Sequence, residues 1–407
     1  MRTRVAAAGV VLVASLVITG VLALLAWGSA DGGGAGSVLR AAMQRYGPPS
    51  VFTARDGRQE PQEPPPHRPP AAPAAPPPLT LEAIFPRPAD LSGLDPARLR
   101  TIVVTGDVIP ARVANHRMVR QNAFADALGN TAPLLREADL TFINLEAPLP
   151  KHCPVMLTGM QFCGDQRFIQ ALNAAQIDVA SLANNHIDNF GPQGFQETVE
   201  LLTRHGIRAA YDDVIAQHEV RGLRFAFLAF NGVGPRLDRD RIARTIQEAR
   251  RTADVVLVMY HWGREYTLLP ETQPGIAEDH PRAIGRFTLD AGADLVLGNH
   301  PHWVQGIEFH RDRLITYSHG NFLFDQTWSQ ETQEGVIGTY TFSDTQLVAV
   351  QYHPVLIEDA YRPRLLSQEE GAHILERMWQ SSRMLRDQPW QEEPAPHWSG
   401  NAAPQRP

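Results

Sequence analysis

The stretch "IDVASLANNHIDNFGPQG", Ile177 to Gly194, carries the fold in miniature. An apolar run, Ile177 to Ala180, breaks abruptly on two asparagines and a histidine, and Gly191 with Pro192 then opens an amphipathic segment. Phe195, Val199 and Leu202 share one face of that segment before His205 and Gly206 end it. A buried strand, a polar turn and a helix in this order are one unit of an α/β protein. The polar turn sits at the strand's carboxyl end, where loops of open α/β sheets gather functional groups.

Working outward, the same grammar recurs. "RTIVVTGD" (Arg100 to Asp107), "ADLTFINLE" (Ala138 to Glu146), "RFAFLAFNG" (Arg224 to Gly232), "DVVLVMYHWG" (Asp254 to Gly263), "DLVLGNHPH" (Asp294 to His302) and "LITYSHGNF" (Leu314 to Phe322) read as buried strands. Helical patterns fall between most of them. Asp165 caps one with Phe168 and Leu172 on a face, Asp240 precedes Ile242, Ile246 and Ala249, and Pro281 to Ala291 ends at Gly292. The expectation is an α/β fold of layered mixed β-sheets flanked by helices, with a β-rich part from about Leu314 to Val355.

Around this body the 407-residue chain carries other segments. Arg2 and Arg4 precede about 22 uncharged residues, Val5 to Ala26, the length a helix needs to cross a bilayer, and Trp27 stands where an interfacial aromatic would. Residues 1–30 therefore read as a membrane anchor, with the rest outside the cytoplasm. Cleavage near Ala30 as a signal peptide is the alternative. Residues 31–96, Gly-rich and then Pro-rich ("EPPPHRPPAAPAAPPP", Glu63 to Pro78), read as a mostly disordered linker. The folded domain is expected over 97–366, followed over 367–407 by one helix around Ile374 to Leu385 and a disordered tail. Cys153 and Cys163, the chain's two cysteines, are expected to form a disulfide in an oxidising compartment. A net charge of -7 leaves no basic footprint for nucleic acid.

Five of the strand runs end in metal-ligating side chains: Asp107, Glu146, Asn185 with His186, His261, and His300 with His302. Each is ordinary alone. Their common topological position is not, and the "NHPH" spacing lets two imidazoles turn toward one ion.

"TGDVIPAR", "NLEAPL", "SLANNHIDNFGPQG", "HWGREY", "GNHPHWVQGIE" and "YSHGNFLFDQ", in this order, closely resemble the CapA-type poly-γ-glutamate capsule synthesis proteins, a branch similar to the calcineurin-like metallophosphoesterases. The resemblance implies one or two divalent ions, Mn, Fe or Zn, held by Asp107, Glu146, Asn185, His261, His300 and His302. It makes His186 a general acid, which Asp188 would orient, and Arg112 a grip for the substrate anion. Trp262 and Tyr266 are expected to pack beside the site with Glu265 close by. The chain departs from the pattern at Ile109, where a ligand histidine is usual, at Glu146, where an aspartate is, and at Asn299 and His319. His319 reads either as an extra ligand or as a variant supporting residue. The resemblance implies an anionic polymer such as poly-γ-glutamate as partner, together with membrane capsule synthase subunits. Hydrolysis of the polymer or a phosphoester, a non-hydrolytic accessory role in a synthase complex, and metal-free binding of wall sugars or peptides remain three distinct readings.

Overall fold

The computed structural model describes residues 79–85, 89–388 and 390–391. The expected anchor over 1–30, the linker up to residue 78 and the tail from 392 lie outside the described residues. Among the described residues no helix is long and apolar enough to cross a membrane.

Among those residues, fourteen strands form two mixed sheets. The first runs β14 (Arg362–Leu365), β13 (Gln346–Glu358), β12 (Glu334–Ser343), β1 (Leu99–Val108), β2 (Leu140–Leu145), β3 (Val179–Ser181), β4 (Arg208–Ala210), with β11 (Asn321–Leu323) also pairing β1. The second runs β5 (Ala216–Val220), β6 (Leu223–Asn231), β7 (Val255–His261), β8 (Leu295–Asn299), β10 (Arg313–Thr316), β9 (Ile307–His310). The strands β1 to β4 are parallel, as are β6, β7, β8 and β10, while the β12 to β14 side is antiparallel.

Side-chain alternation explains why these strands are almost wholly apolar. In β6, Phe225, Phe227 and Ala229 enter a core between the two sheets, while Ala226, Leu228 and Phe230 enter a second core under the outer helices. β7 repeats this with Leu257 and Met259 inward and Val256, Val258 and Tyr260 outward. From the first sheet, Ile102, Val104 and Phe142 meet them, and the Phe142 and Phe227 rings lie edge to face 5.1 Å apart, a pairing worth about 1 kcal/mol. The outer face of the first sheet is covered by α2 (Arg112–Gln121), α3 (Ala132–Glu137), α4 (Ile169–Ala174) and α5 (Gly191–Arg204), after a short α1 (Leu81–Ile84). α6 (Arg239–Thr252) and α7 (Pro281–Asp290) cover the second sheet, and α8 (Ala372–Asp387) is the last described helix. The layers are helix, sheet, sheet, helix.

Four sequence readings need adjustment. Residues 79–85, assigned to the linker, fold against the domain: Leu81 and Ile84 are buried, and Phe85 packs with Trp379 of α8 at 5.4 Å. The run Leu314 to Phe322 is two strands, because the chain leaves the second sheet after Thr316 and joins the first at Asn321. Gly320, at φ 72°, makes that turn. The run from Ile177 is strand only over Val179–Ser181, since the polar turn begins at once. The cap of α6 is Asp238, whose carboxylate accepts from the Arg241 N–H, rather than Asp240, which lies in the first turn.

Candidate metal centre

The carboxyl ends of β1, β2 and β3 meet those of β7 and β8, so both sheets deliver polar residues to one point. Asp107 is on β1 and Glu146 follows β2. Asn185 and His186 follow β3, His261 ends β7, and His300 and His302 follow β8. Asp107, Glu146, His261, His300 and His302 are all buried.

Their atoms converge on His261 Nε2. Asn185 Oδ1 lies 2.9 Å from it, His300 Nδ1 3.1 Å and Glu146 Oε1 3.2 Å. His302 Nδ1 lies 3.3 Å from Asp107 Oδ2 and 2.9 Å from Asn321 Oδ1. Two sets of donor atoms fall within 4.8 Å of one another, Asp107 with Glu146 and His261, and Glu146 with His300 and His302. Glu146 belongs to both, as a bridging carboxylate must. Neither Glu146 oxygen, nor His300 Nε2, has a hydrogen-bond partner although all three are buried. Such groups normally find partners or coordinate a metal, and imidazole, carboxylate and amide oxygen suit Mn, Fe or Zn.

The backbone is bent to achieve this. The "NHPH" segment is not extended: His300 and His302 adopt φ of 96° and 58°, the strained left-handed side that functional loops hold when their surroundings enforce it. The segment crosses close packing just before it, where a side chain on Gly298 would put its Cβ 2.0 Å from the Tyr317 carbonyl oxygen.

Electrostatics follow from burial and crowding. Burial, then the Asp107 charge, pushes the Glu146 carboxyl well above its usual range. Burial opposes ionisation of Asp107 too, but His302, His261 and Asn144 hold it below its ordinary value. Burial works against a proton on His302, yet the hydrogen bond to Asp107 and the charges of Glu146, Asp107 and Glu265 raise it to about 9. His261 drops to about 4, burial prevailing over the attraction of Asp107, and His300 falls well below its usual value through burial and its histidine neighbours.

Beside these residues is a cavity of about 280 Å³, lined by Arg112, His186, His302, Glu265, Tyr266 and Phe324 among others. A larger apolar groove of about 480 Å³ between Phe85, Tyr352 and Trp379 is lined by none of the converging donors and holds no histidine. The donor set therefore marks the site, and size does not.

Two expected roles change. Asp188 is exposed and does not orient His186; His186 Nδ1 lies 3.0 Å from Asn189 Oδ1, which also accepts from the Phe162 N–H at 2.7 Å. An oxygen there requires Nδ1 to carry the proton. Burial lowers His186 to about 4, with the Asn189 contact opposing it, so its other nitrogen is an acceptor at neutral pH. Arg112 is committed: its Nε donates to Asp325 Oδ1 at 3.1 Å, a second nitrogen pairs with the same carboxylate, and its guanidinium lies over Phe162 and Phe324. Asp325 is almost fully buried and needs that partner.

Other residues stand where their sequence context puts them. Trp262 packs below the site, its Nε1 donating to the Tyr317 carbonyl. Tyr266 lines the cavity, and Glu265 Oε1 is 3.9 Å from His302 Nε2. Asn184 braces the turn through the Leu145 carbonyl at 2.9 Å. Ile109 is buried against Phe162 and Phe324. His319 is no ligand; it spans the two sheets from the Gly298 carbonyl (3.1 Å) to the Tyr340 hydroxyl (2.9 Å).

Sequence reasoning missed Asn144, Asn189, Asn321 and Asp325. Asn144 Nδ2 donates to Asp107 Oδ1 at 2.8 Å and lies 3.2 Å from His261 Nδ1, tying the two sheets together. Its signal was legible: it precedes Glu146 by two, so strand alternation turns both the same way. Cys153 and Cys163 are bridged, with Cα atoms 5.8 Å apart.

Fold and site together define a class: a two-sheet α/β protein with a histidine, carboxylate and amide cluster where the carboxyl ends of both sheets meet. Residues 101–326 match the family model described as "Bacterial capsule synthesis protein PGA_cap", and the chain belongs to that family. It is similar to the capsule biosynthesis protein CapA of Bacillus anthracis, 25% identical over 287 residues, covering 64% of this chain and 68% of that protein. The PGA biosynthesis protein CapA of Bacillus subtilis (strain 168) is 26% identical over 278 residues, 63% of this chain and 71% of that one. A solved structure of a hypothetical protein from Thermus thermophilus aligns at a TM-score of 0.43 and 19% identity, over 62% of this chain and 98% of that one. That likeness is too loose to bear on the site.

Proposed function

We propose that this protein acts outside the cytoplasm, tethered to the cell membrane, in the synthesis of an anionic capsule polymer such as poly-γ-glutamate. Its reaction is metal-dependent hydrolysis of that polymer or of a phosphoester. The observation that carries the reading is Glu146, a buried carboxylate with two unpartnered oxygens that belongs to both donor sets. Asp107, Glu146, Asn185, His261, His300 and His302 would hold one or two divalent ions. Such ions, when bound, polarise the scissile group and supply a nucleophile from water at neutral pH.

The chain's own residues do the rest. Asn189 fixes the His186 ring so that one nitrogen serves the cavity, as acceptor in the resting state and as donor once a bound anion has raised its affinity for a proton. Phe162, stacked on that ring at 3.9 Å and packed edge to face against Phe324, covers one face of the imidazole. Asn144 keeps Asp107 and His261 at fixed separation.

The accessory reading, in which the cavity grips a polyanion without cleaving it, has little free arginine or lysine charge to draw on. Among the described residues Arg112 is the one arginine or lysine lining the cavity, and Asp325 neutralises it.

The test is metal analysis of the purified full chain, stripped with chelator and titrated with Mn, Fe(II) or Zn. Wild type is expected to take up metal and the His300→Ala, His302→Ala double variant to lose it. A wild type that binds none of these ions would end the hydrolase reading. Incubation with poly-γ-glutamate and with an aryl phosphodiester then separates amide from phosphoester cleavage.

A further inference from the structure

Beside the cavity stands a loop that the proposed chemistry leaves unexplained. From Lys151 to Gly164, "KHCPVMLTGMQFCG", it contains no acidic residue, and the Cys153–Cys163 bridge pinches its base. Its tip is apolar and wet: Val155, Leu157 and Met160 are 49, 53 and 69% exposed. Trp328, 61% exposed, shares the rim, since Met160 and Trp328 both line the cavity. Of the seven large hydrophobic side chains exposed among the described residues, Met160 and Trp328 therefore border one opening, and Val155 and Leu157 belong to the same disulfide-closed loop as Met160. Scattered singly they would need no explanation; gathered at a functional mouth they mark a contact surface.

The polar residues around the patch indicate what it contacts. Lys151, with its side chain more than half exposed, and His152 stand at the loop's base. The carboxylates near the loop's base are occupied, Asp165 by two hydrogen bonds from Arg167 at 3.0 and 2.8 Å and Glu197 by the Lys151 N–H at 2.7 Å, with Lys151 Nζ 3.9 Å away; of those in the cavity lining, Asp325 pairs with Arg112 and Glu265 lies 3.9 Å from His302. An apolar tip, a tryptophan at its edge, basic residues behind it and no acid on the loop is the pattern of a segment lying in a lipid–water interface. Basic side chains there are drawn to anionic headgroups. The disulfide closes the loop in advance, so little ordering is left to oppose insertion.

We propose that the 153–163 loop and Trp328 form a membrane-contacting rim. Val155, Leu157 and Met160 enter the boundary between headgroups and acyl chains of an anionic phospholipid bilayer, Lys151 stays among the phosphates, and the cavity opens along the lipid surface. The rim stands independently of whether the cavity holds metal.

The test uses the full chain in bilayer discs containing phosphatidylglycerol, with and without brominated acyl chains. The Trp328 signal is the difference between wild type and Trp328→Phe. Bromine is expected to quench that difference, and the Leu157→Asp, Met160→Asp double variant is expected to lose the quenching while its thermal unfolding is unchanged, both side chains being exposed. An unquenched Trp328 overturns the proposal. Quenching that survives the double variant overturns it as well, because the loop then does not hold the rim in lipid.

Discussion

Replacing Glu146 with glutamine should stabilise the metal-free protein and abolish its response to metal. In the metal-free fold Glu146 is buried, neither of its oxygens makes a hydrogen bond, the His261 Nε2 contact at 3.2 Å notwithstanding, and the Asp107 carboxylate is close, so its affinity for a proton is raised well above normal. A carboxyl whose folded pKa lies above its ordinary 4.5 favours folding fully below that value, and the benefit is lost as pH rises through the raised one. The ceiling on this cost, reached by a carboxyl that holds its proton up to pH 7, is about 3 kcal/mol. Glutamine has the same shape and no proton to hold. Its advantage over wild type should be absent at pH 4 and grow toward pH 7, to a ceiling of about 6 °C in melting temperature at about 2 °C per kcal/mol for a body of this size. Metal reverses the order: ion at a thousand times its dissociation constant adds about 4.1 kcal/mol to wild type, and nothing to a variant that cannot bind it. The assay is calorimetric melting of both proteins at pH 4 and 7, after chelation and after adding Mn or Zn. A variant that melts below wild type in the metal-free state would refute the reasoning, because Glu146 would then be a structural carboxylate. Equal metal responses would refute the bridging role.

Asn189→Ala removes the partner of His186 Nδ1 and the acceptor of the Phe162 N–H. Turnover should fall about 10- to 100-fold with KM little changed, and stability should drop by about 1–3 kcal/mol, read from steady-state kinetics and denaturant melts. Asp178, raised to about 6 by burial against an accepted Thr141 N–H bond, favours folding fully below pH 3.8 and loses that contribution as pH rises through 6. Asp178→Asn keeps the acceptor, so its stability relative to wild type should rise between pH 4 and 6; an identical pH dependence in the two proteins would count against the shift. Replacing both Cys153 and Cys163 with serine opens a loop closed over a separation of 10 residues and should cost about 3 kcal/mol, measured by urea unfolding, while thiol labelling of the native wild type should find no reactive cysteine.

Much of the candidate site was legible in the sequence because its converging side chains come from strand ends. An apolar run that stops on Asp107, His261 or "NHPH" fixes both the strand and the place where its polar end emerges. The supporting residues were less legible, since their partners are distant in sequence. Nothing local to "DNFG" says that Asn189, rather than Asp188, reaches back to His186; the turn's geometry decides it. Nothing in "GDVIPAR" says that Arg112 is held by Asp325, 213 positions later.

By itself the sequence determined the alternation of strand and helix, the disulfide pair and the six candidate ligands, because period-two burial and strand-end polarity are local properties. Only the tertiary structure decided that there are two sheets, that the chain crosses between them at Gly320, and that Glu146 lies between two donor sets. Those depend on packing one sheet's apolar face against the other, which brings β2 and β7 together although more than a hundred residues of chain separate them.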